Sequence, residues 1–372
     1  MKKNKKLIVL TAGGTGGHVF PALSVMEKVT GNFSVYFICD TRAMKFITNL
    51  PDEVKTTIIH SSTITGASLT KKLKILIKLS YSTFRLLLAF TRNKPSLVVG
   101  FGGYPSFPAT CAAAILRIPV ILHEQNAVIG QVNRFLLPFA KKLAISFNST
   151  KGINDKYTNK LVYTGNPIRK EIVEAASKKS HKYNNVHELK ILVIGGSQGA
   201  KIFGDILPKS IKKLPKDLQE KIVITQQVRK NLLKKTMLEY QKTKCKFLLR
   251  EFFKNIADLY NNHDIVIARS GASTVAELIA LKMPAILIPY AFAKNNHQFY
   301  NAKFLVDRKQ AILVEEKDFT AKCIEKIITN LLTTNILKEL QSNCKVSSNN
   351  EFNTLNASNN IYELISEECT SR

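Results

Sequence analysis

With 372 residues, 45% of them hydrophobic, the chain is long enough to form two separate cores. Its formal net charge of +28 implies attraction to nucleic acid, a phospholipid surface or a phosphorylated substrate, but lysine is abundant throughout, and this disfavours specific nucleic-acid binding. The six cysteines lack a Cys-x-x-Cys pair, and no apolar run approaches the roughly 20 residues that span a bilayer, which argues against a disulfide framework, a zinc site and a transmembrane helix.

The first part of the chain has the pattern of repeated β–loop–α units. Leu7 to Ala12 is a short apolar run that ends in glycines, and a helical pattern follows from about Pro21 to Lys28. A further helix is predicted over Phe107–Leu116. Buried parallel strands are predicted at Ser34–Cys39, Ser96–Val99 and Pro119–Leu122. We therefore expect a doubly wound α/β domain over residues 1–168.

The same pattern restarts after a polar, lysine-rich stretch. Leu189–Ile194 runs into a second glycine cluster, about 180 residues after the first. Further strands are predicted at Lys221–Thr225, Asp264–Ala268 and Ala285–Ile288. These elements indicate a second domain of the same type over residues 189–345, and two such domains facing one another would form a ligand cleft.

The end of the chain differs in composition from the two predicted domains. From about Thr333 it is polar and rich in Asn and Ser, which is typical of a flexible tail. Ile361 to Ile365 is apolar enough for a last helix. We expect residues 346–372 to form a C-terminal tail with a helix that packs back on the N-terminal domain.

The first glycine cluster lies between a strand and a helix and reads Gly-Gly-Thr-Gly-Gly-His from Gly13 to His18. Backbone N–H groups and the helix dipole favour a phosphate or a developing oxyanion there. It is neither a dinucleotide fingerprint, because Val19 occupies the third glycine position, nor a Walker loop. The helix start disfavours an imidazolium, so His18 is a candidate general base; the alternative is a histidine that only caps or packs the loop.

Two further segments in the second half are candidates for phosphate binding. Gly195–Ala200 offers backbone donors with a hydroxyl and an amide, although a tight strand–helix turn would have the same pattern. Arg269–Glu277 follows a buried strand and opens a helix, where diphosphate oxygens could lie on the N–H groups. Glu277 falls in the second turn, where a carboxylate can accept both hydroxyls of a ribose. A capping box is the alternative for this segment.

Polar clusters at predicted strand ends favour sugar binding. His123–Asn126 directly follows one strand, and Asn295–Gln298 lies in a later loop. Loop chemistry alone would more often select Gly, Asp or Ser than these amides and histidines. We predict that both clusters bind sugar hydroxyls.

Residues 69–90 combine an apolar stripe with lysines and an arginine along its edges. This pattern is typical of an interfacial helix that meets anionic lipid, and equally of a core helix with a solvated basic face. The adjoining loop from Phe101 to Pro108 could hold a second phosphate, that of the acceptor.

Eight motifs in order resemble the MurG family, the UDP-N-acetylglucosamine: N-acetylmuramyl-(pentapeptide) pyrophosphoryl-undecaprenol N-acetylglucosaminyltransferases. Over about residues 5–305 they are GGTGGHVFPA, GFGGYPSFPA, HEQN, TGNPIR, GGSQGA, EFF, RSGASTVAE and NNHQ. The resemblance implies a GT-B fold with two doubly wound Rossmann-like domains facing across a cleft. It also implies inverting transfer of N-acetylglucosamine from its UDP conjugate to lipid I, giving lipid II for peptidoglycan, cell shape and cell division.

The resemblance also implies a site, a location and partners. The enzyme would be peripheral at the cytoplasmic face of the inner membrane, with no cofactor or metal, and segment 69–90 would meet anionic lipid. Other cell-wall synthesis enzymes are possible partners, and nucleic acid is not expected. His18 is the catalytic base that the resemblance implies, with Glu124 as the second candidate. The matching positions for UDP-N-acetylglucosamine are Thr15, Gly16, Gly17, Asn126, Arg169, Ser197, Phe253, Ala272, Ser273, Thr274, Val275, Ala276, Glu277 and Gln298.

Three other functions fit parts of the pattern. A related transferase acting on diacylglycerol would share the fold and the glycine loops, but would be expected to lack the HEQN and TGNPIR pair. A UDP-sugar epimerase would need two carboxylate bases, which nothing here favours. A basic nucleic-acid-binding protein would need exposed aromatics among its lysines, whereas the aromatics here lie mostly in apolar runs.

Overall fold

The computed structural model describes residues 5–47, 50–59, 69–178, 188–196, 199–346 and 354–370. Contacts between residues divide the chain into two units. Unit 1 is Met1–Arg169 together with Asn353–Arg372, and unit 2 is Lys170–Phe352. Ser197 and Gln198, which belong to the second glycine cluster, lie outside the described residues.

Unit 1 contains a parallel sheet of seven strands in the order β3-β2-β1-β4-β5-β6-β7. Its strands are β1 Leu7–Thr11, β2 Ser34–Asp40, β3 Lys55–Ile59, β4 Leu97–Gly100, β5 Val120–Glu124, β6 Lys142–Ile145 and β7 Leu161–Tyr163. Its first helices are α1 Gly16–Val29, α2 Leu69–Arg92, α3 Phe107–Ile115 and α4 Gln131–Leu136. Short 3₁₀ turns lie at Met44–Phe46, Tyr104–Ser106, Leu137–Phe139 and Asp155–Lys160. The sheet order reverses direction between β1 and β4, so this is the switch point at which doubly wound folds bind ligands.

Helices cover both faces of the unit 1 sheet, because its central strands are apolar on both sides. Alternate residues of β1 enter two different cores: Ile8 and Leu10 pack beneath α1, and Val9 packs on the side of α2 and α3. The central strands are therefore fixed from both faces, and the loops at their carboxyl ends start from rigid positions.

Unit 2 repeats the arrangement with a parallel sheet of six strands in the order β10-β9-β8-β11-β12-β13. Its strands are β8 Leu189–Ile194, β9 Ile222–Gln227, β10 Lys246–Arg250, β11 Ile265–Ala268, β12 Ala285–Leu287 and β13 Ala311–Leu313. Its helices are α5 Lys170–Lys178, α6 Lys201–Lys213, α7 Lys216–Glu220, α8 Leu233–Tyr240, α9 Ile256–Asn261, α10 Ala272–Ala280, α11 His297–Val306, α12 Ala321–Thr333 and α13 Ile336–Val346. Further 3₁₀ turns lie at Lys230–Leu232 and Lys294–Asn296. The switch point lies between β8 and β11.

The C-terminal part of the chain is more ordered than its composition predicts. The stretch after Thr333 forms α13, whose buried residues Leu337, Leu340 and Cys344 recur at helical spacing. The last helix, α14 Ala357–Thr370, packs on unit 1 through Ile361 and the apolar residues of the same face. The expectation of a flexible tail is therefore wrong for the residues that the structure describes, because regular apolar spacing prevails over polar composition.

The sequence analysis does not predict five of the strands. They are Lys55–Ile59, Lys142–Ile145, Leu161–Tyr163, Lys246–Arg250 and Ala311–Leu313. Four of them, β3, β7, β10 and β13, are edge strands. The side chains of β3 and β10 are mostly exposed or half-buried, so these two lack the continuous apolar signal of central strands. The strands β7 and β13 have three residues each, which is too short for a pattern to emerge.

Candidate functional site

The first glycine loop of unit 1 lies at the switch point, held by close contacts. A Cβ atom on Gly13 would lie 2.7 Å from Cβ of Pro105, so only glycine allows the two loops to approach this closely. Gly14 has a φ of +83° and donates its N–H to Oδ1 of Asp40, at 2.9 Å. Asp40 also accepts a hydrogen bond from Arg42. The Gly14 N–H is therefore engaged within the protein and is not a donor for a ligand.

The next residues of the loop start helix α1. Thr15 is exposed at the N-cap position, and its carbonyl accepts the N–H of His18 at 3.1 Å. The N–H groups of Gly16 and Gly17 form no hydrogen bond with any residue that the structure describes. Uncompensated N–H groups at a helix start favour an anion. Within this loop, the phosphate site predicted from the sequence thus reduces to two adjacent N–H groups.

The imidazole of His18 lies against the second loop of the switch point. Gly102 and Gly103 both have positive φ, at +79° and +74°. A Cβ atom on Gly103 would lie 3.4 Å from Nε2 of His18, so the absence of a side chain keeps space beside that nitrogen. Among the described residues, none hydrogen-bonds to Nε2 of His18. The ring therefore presents one nitrogen that a reacting hydroxyl could approach.

The other ring nitrogen of His18 is held by a buried glutamine. Nδ1 of His18 lies 3.0 Å from Oε1 of Gln125. Nε2 of Gln125 in turn lies 2.9 Å from the carbonyl oxygen of Phe101 and 2.9 Å from Nδ1 of His123. His123 is fully buried, and burial lowers the pKa of its imidazole to about 4, so the ring is neutral near pH 7.

Glu124 lies at the end of β5, and both oxygens of its carboxylate are occupied. Oε1 accepts the N–H and the side-chain amide of Asn126, at 3.0 and 3.2 Å. Oε2 accepts the N–H of Gly130 and the side-chain amide of Asn133, both at 2.8 Å. Four donors saturate the lone pairs of a carboxylate. This geometry ties the loop after β5 to the strand and favours His18 over Glu124 as a base.

Two residues near this centre differ from the sequence-based expectation: Gln125 is predicted, with the rest of its cluster, to bind sugar hydroxyls, and Asn133 is not predicted. Gln125 and Asn133 are both almost completely buried, and Asn133 is in reach of Gly102 as well as Glu124. Gln125 belongs to the HEQN motif, so a signal for it was present. Asn133 lies on α4, with no motif around it.

The remaining predicted residue of unit 1, Arg169, lies at the end of the unit. Its guanidinium stacks on the ring of Phe20, 5.2 Å from the centroid, and Phe20 belongs to α1. Stacking of this kind orients the guanidinium of an arginine. Arg169 is thus held beside the helix that carries His18.

In unit 2, helix α10 begins at the switch point with small residues. Its N-cap is Gly271, and the N–H groups of Ala272, Ser273 and Thr274 form no hydrogen bond with the described residues. Ser270, just before the helix, donates its hydroxyl to the carbonyl of Gln298 at 2.8 Å. The predicted run that continues through Val275 and Ala276 is buried against the core from there on. Within this run of small residues, only the N–H groups of the first turn can therefore meet an anion.

Glu277 lies one and a half turns further along α10 and is 6% exposed. Its Oε2 accepts a hydrogen bond from the hydroxyl of Tyr260, at 3.1 Å. Tyr260 is buried on α9, so the carboxylate has a fixed orientation. A pre-oriented, largely desolvated carboxylate is suited to accept hydroxyl groups.

Gln298 is fixed by the loop that precedes it. Its Oε1 accepts the N–H of Tyr290 at 2.9 Å, so its amide N–H₂ faces away from that contact. Asn295 and Asn296 both have left-handed backbones, with φ of 51° and 52°, and they turn the chain into α11. Phe253 lies after the carboxyl end of β10, half-buried. Gln298 and Phe253 therefore both belong to the carboxyl-terminal edge of the sheet.

Arg269 supports the same carboxyl-terminal edge of the unit 2 sheet, and the sequence predicts no separate role for it beyond its place in the Arg269–Glu277 motif. Its guanidinium pairs with Glu316 at 2.9 Å, donates to the carbonyl of Pro289 and lies over the ring of Tyr290. Partial burial raises the pKa of the Glu316 carboxyl, but hydrogen bonds from Arg269 and from the N–H of Ala291 lower it more strongly, so that the pKa lies below its usual value. Arg269 thus braces the loop between β12 and α11.

Helix α2 has two apolar faces. Ile75, Leu79 and other residues at helical spacing pack into the core, whereas Leu76 and Phe84 are more than half exposed. Lys74, Lys78 and Arg85 lie along the exposed side. Between α2, α3 and α4 lies an apolar groove of about 520 Å³, lined by Leu76, Leu79, Phe84, Leu87, Phe107 and Phe135 among others.

Within the described part of the chain, no helix is long and apolar enough to cross a membrane. In the same ranges, no group of three or more His, Cys, Asp or Glu side chains could hold a metal ion.

Comparison with known protein families and sequences gives consistent matches. The glycosyltransferase family 28 N-terminal domain matches residues 8–145, and the family's C-terminal domain matches residues 190–358. The protein from Rickettsia bellii named UDP-N-acetylglucosamine--N-acetylmuramyl-(pentapeptide) pyrophosphoryl-undecaprenol N-acetylglucosamine transferase is 38% identical over 365 residues, covering 97% of this chain and 98% of its own. The protein of the same name from Rickettsia canadensis is 39% identical over 341 residues, covering 91% and 94%.

Solved structures agree with the sequence relatives. MurG of Acinetobacter baumannii has a TM-score of 0.76 and 27% identity, covering 98% of this chain and 99% of its own. A UDP-N-acetylglucosamine 2-epimerase from Listeria monocytogenes has a TM-score of 0.68, with 99% and 98% covered, but its 13% identity shows the fold alone. The fold is GT-B, with two Rossmann-like domains.

Proposed function

This chain belongs to glycosyltransferase family 28, in its MurG branch, and from that premise we propose which reaction it catalyses. It is an inverting hexosyltransferase that moves N-acetylglucosamine from UDP-N-acetylglucosamine to undecaprenyl-pyrophosphoryl-N-acetylmuramoyl-pentapeptide, lipid I. The product is lipid II, the lipid-linked disaccharide of peptidoglycan synthesis. The observation that carries the proposal is the accessible Nε2 of His18, beside glycine loops with unused N–H groups.

Unit 1 supplies the acceptor side of the reaction. The acceptor is a sugar hydroxyl next to a pyrophosphate, so its site needs a base and anion donors. Nε2 of His18 accepts the proton of the hydroxyl as the hydroxyl oxygen attacks the anomeric carbon. The N–H groups of Gly16 and Gly17 are donors within two residues of that histidine, and they suit a phosphate oxygen of the UDP-sugar, as the resemblance implies. Attack from the face opposite the leaving group inverts the anomeric configuration.

Unit 2 supplies the donor side. The unused N–H groups of Ala272, Ser273 and Thr274 favour the diphosphate of UDP, whose negative charge grows as the glycosidic bond breaks. Glu277 accepts the ribose hydroxyls, and the amide N–H₂ of Gln298 donates to the sugar. Phe253 stands at the uracil. The resemblance also assigns Thr15, Gly16, Gly17, Asn126 and Arg169 of unit 1, and Ser197 of unit 2, to the donor.

The outer face of α2 supports attachment to a membrane surface. Large apolar side chains such as Leu76 and Phe84 are exposed beside Lys74, Lys78 and Arg85. An apolar face edged by cations binds anionic lipid interfaces. We therefore place the enzyme on the cytoplasmic face of the inner membrane as a peripheral protein, where its lipid-linked acceptor lies. Other cell-wall synthesis enzymes are candidate partners there.

The direct test is transfer of radiolabelled N-acetylglucosamine from its UDP conjugate to a short-chain lipid I analogue. We expect a labelled disaccharide-lipid product with the wild-type protein and far less with His18→Ala, while UDP binding is retained by both. A folded wild-type protein that binds UDP but leaves lipid I unlabelled would overturn the proposal. Diacylglycerol in place of lipid I is the control acceptor, and labelling of that lipid alone would assign the enzyme to the related lipid glycosyltransferases.

A further inference from the structure

Three neighbouring strands of unit 1 bring a chain of hydrogen bonds to the ring of His18. The sheet order places β1, β4 and β5 side by side, and their carboxyl ends lead to His18, Phe101 and Gln125. Gln125 is 1% exposed, and it contacts both of the other residues. The chain of bonds is therefore built on the most rigid part of the unit.

The orientation of the Gln125 amide follows from its partners. The atom 2.9 Å from the carbonyl oxygen of Phe101 must be the nitrogen, because a carbonyl only accepts. The amide oxygen is then the atom that lies 3.0 Å from Nδ1 of His18. An amide oxygen only accepts, so Nδ1 of His18 carries the proton. Its Nε2 has a lone pair.

His123 fixes the same arrangement from the other end. Its Nε2 lies 3.3 Å from the carbonyl of Gly165, so this nitrogen carries the proton and Nδ1 is an acceptor. Nδ1 accepts the second N–H of Gln125, at 2.9 Å. Burial lowers the pKa of His123 to about 4, so this acceptor persists at neutral pH. With Nδ1 accepting from the amide, the neutral His123 ring carries its proton on Nε2, where the carbonyl of Gly165 and, at 3.4 Å, the hydroxyl of Ser146 lie.

We infer that Gln125 is a positioning residue, which holds His18 as the Nδ1–H tautomer and so directs the basic Nε2 toward the space beside Gly103. The inference rests on the proposed function insofar as that Nε2 takes the acceptor proton. A neutral amide holds the ring without adding a buried charge next to it. When Nε2 gains a proton, the Nδ1–H bond to Gln125 becomes charge-assisted, and the amide oxygen stabilises the imidazolium.

The titratable groups around His18 do not fix its tautomer. His123 faces the ring through Gln125 and stays neutral. Both carboxylate oxygens of Glu124 accept hydrogen bonds from Asn126, Gly130 and Asn133. The tautomer of His18 therefore depends on Gln125 itself, and removing the amide leaves the ring free to carry its proton on either nitrogen.

The test is a long-range ¹H–¹⁵N correlation spectrum of the ¹⁵N-labelled full-length protein at pH 8. His18→Ala identifies the His18 signals among those of the seven histidines. We expect Nδ1 to be protonated and Nε2 to be bare in the wild type, and a mixture of tautomers in Gln125→Leu. A wild-type ring with its proton on Nε2 overturns the inference, and this spectrum is sufficient even if Gln125→Leu does not fold.

Kinetics with the lipid I analogue provide the second readout. Gln125→Leu should lower kcat about ten- to a hundredfold, as loss of a group that orients a reactive histidine does. The KM values for donor and acceptor should change little. Gln226→Leu is the matched control, because Gln226 is a fully buried glutamine of unit 2 that bonds to Tyr240. It should leave the His18 spectrum unchanged.

The two readouts separate the inference from the proposed function. A wild-type protein that shows the Nδ1–H tautomer but transfers no sugar to lipid I contradicts the function and keeps the tautomer assignment. A wild type that transfers sugar normally, with His18 signals and kcat indifferent to Gln125→Leu, contradicts the inference and keeps the function.

Discussion

The switch points of the two units use the same sheet topology for different chemistry. In unit 1 the loops after β1 and β4 enclose an imidazole, and the neighbouring strand end supplies a buried amide that bonds to it. In unit 2 the loop after β11 leads into a helix of small residues with unused N–H groups, followed by a buried carboxylate. The first arrangement can accept a proton, and the second can hold an anion. Two copies of one scaffold can thus divide catalysis and donor binding between them, because the loop residues and not the sheet carry the chemistry.

The largest test of this division is His18→Ala. Removing the base should lower kcat on the order of 10²–10⁴-fold, the usual contribution of general base catalysis. The Kd for UDP should stay unchanged, since in the proposed mechanism the imidazole of His18 meets the acceptor hydroxyl and not UDP. Steady-state transfer kinetics and calorimetric UDP titration measure the two quantities. A large loss of UDP affinity in a folded variant would break the proposed division.

The second test uses the buried histidine of unit 1 as a pH sensor. An unfolded histidine gains a proton below about pH 6.5, whereas the folded His123, whose pKa burial lowers to about 4, does not. The free energy of unfolding should therefore fall as pH drops from about 6.5 through about 4, by about 3 kcal/mol from this group. Urea unfolding of wild type and His123→Asn at several pH values checks the slope, which the variant should flatten.

Unit 2 offers the matched variant for that test. Burial also lowers the pKa of His263, so His263→Asn should act in the same direction on the unfolding of unit 2. If His123→Asn left the acid dependence of the unit 1 transition unchanged, the neutral buried state of His123 would be wrong.

The third test concerns the carboxylate of unit 2. Glu277→Ala should raise the KM for UDP-N-acetylglucosamine about ten- to a hundredfold, because hydrogen bonds to a charged group are worth more than neutral ones. The effect on kcat should be smaller, in contrast to His18→Ala. Tyr260→Phe is the control, since it removes the hydroxyl that orients Glu277 but keeps the carboxylate. Equal losses in kcat for Glu277→Ala and His18→Ala would contradict separate roles.

The smallest expected effect lies on the surface of unit 1. The double variant Leu76→Ser/Phe84→Ser should weaken binding to vesicles that contain anionic phospholipid about tenfold, because it removes exposed apolar area from α2. Transfer to a water-soluble acceptor should be unaffected. Leu238→Ser replaces an exposed leucine of unit 2 and is the control. Sedimentation with vesicles measures both variants, and equal losses would remove α2 as the membrane-binding face.

Sequence patterns predict the central part of this fold better than its borders. Strands such as Leu7–Thr11 are apolar on both faces and precede glycines, so they are visible without any structure. Edge strands such as Lys246–Arg250 satisfy only one neighbour and carry charged residues, so no period reveals them. Helix α13 was missed for a similar reason, because its apolar residues are sparse among polar ones.

In the site, the sequence predicts which residues take part better than it predicts their hydrogen bonds. His18 and the block from Ala272 can be selected from glycine loops and helix starts, because those signals are local in the sequence. That Gln125 links two histidines cannot be predicted, since His18 on α1 and Phe101 after β4 are far from it in the sequence. Nor does the sequence indicate that the Glu124 carboxylate is saturated, because its donors include a backbone N–H and a side chain of α4.

Helix α14 is translated last but belongs to the core of unit 1, so unit 1 cannot complete its core until the whole chain has been made. Its apolar face, with Ile361 and Ile365, belongs to the core of unit 1, and Asn360 donates to the carbonyl of Thr164. A ribosome therefore releases the strands and earlier helices of unit 1 long before the residues that complete its core. During translation that sheet face stays open to solvent while the whole of unit 2 is made. A stop codon just before Ala357 would delete less than a twentieth of the chain, yet it would leave the nascent unit 1 with an apolar surface that chaperones recognise.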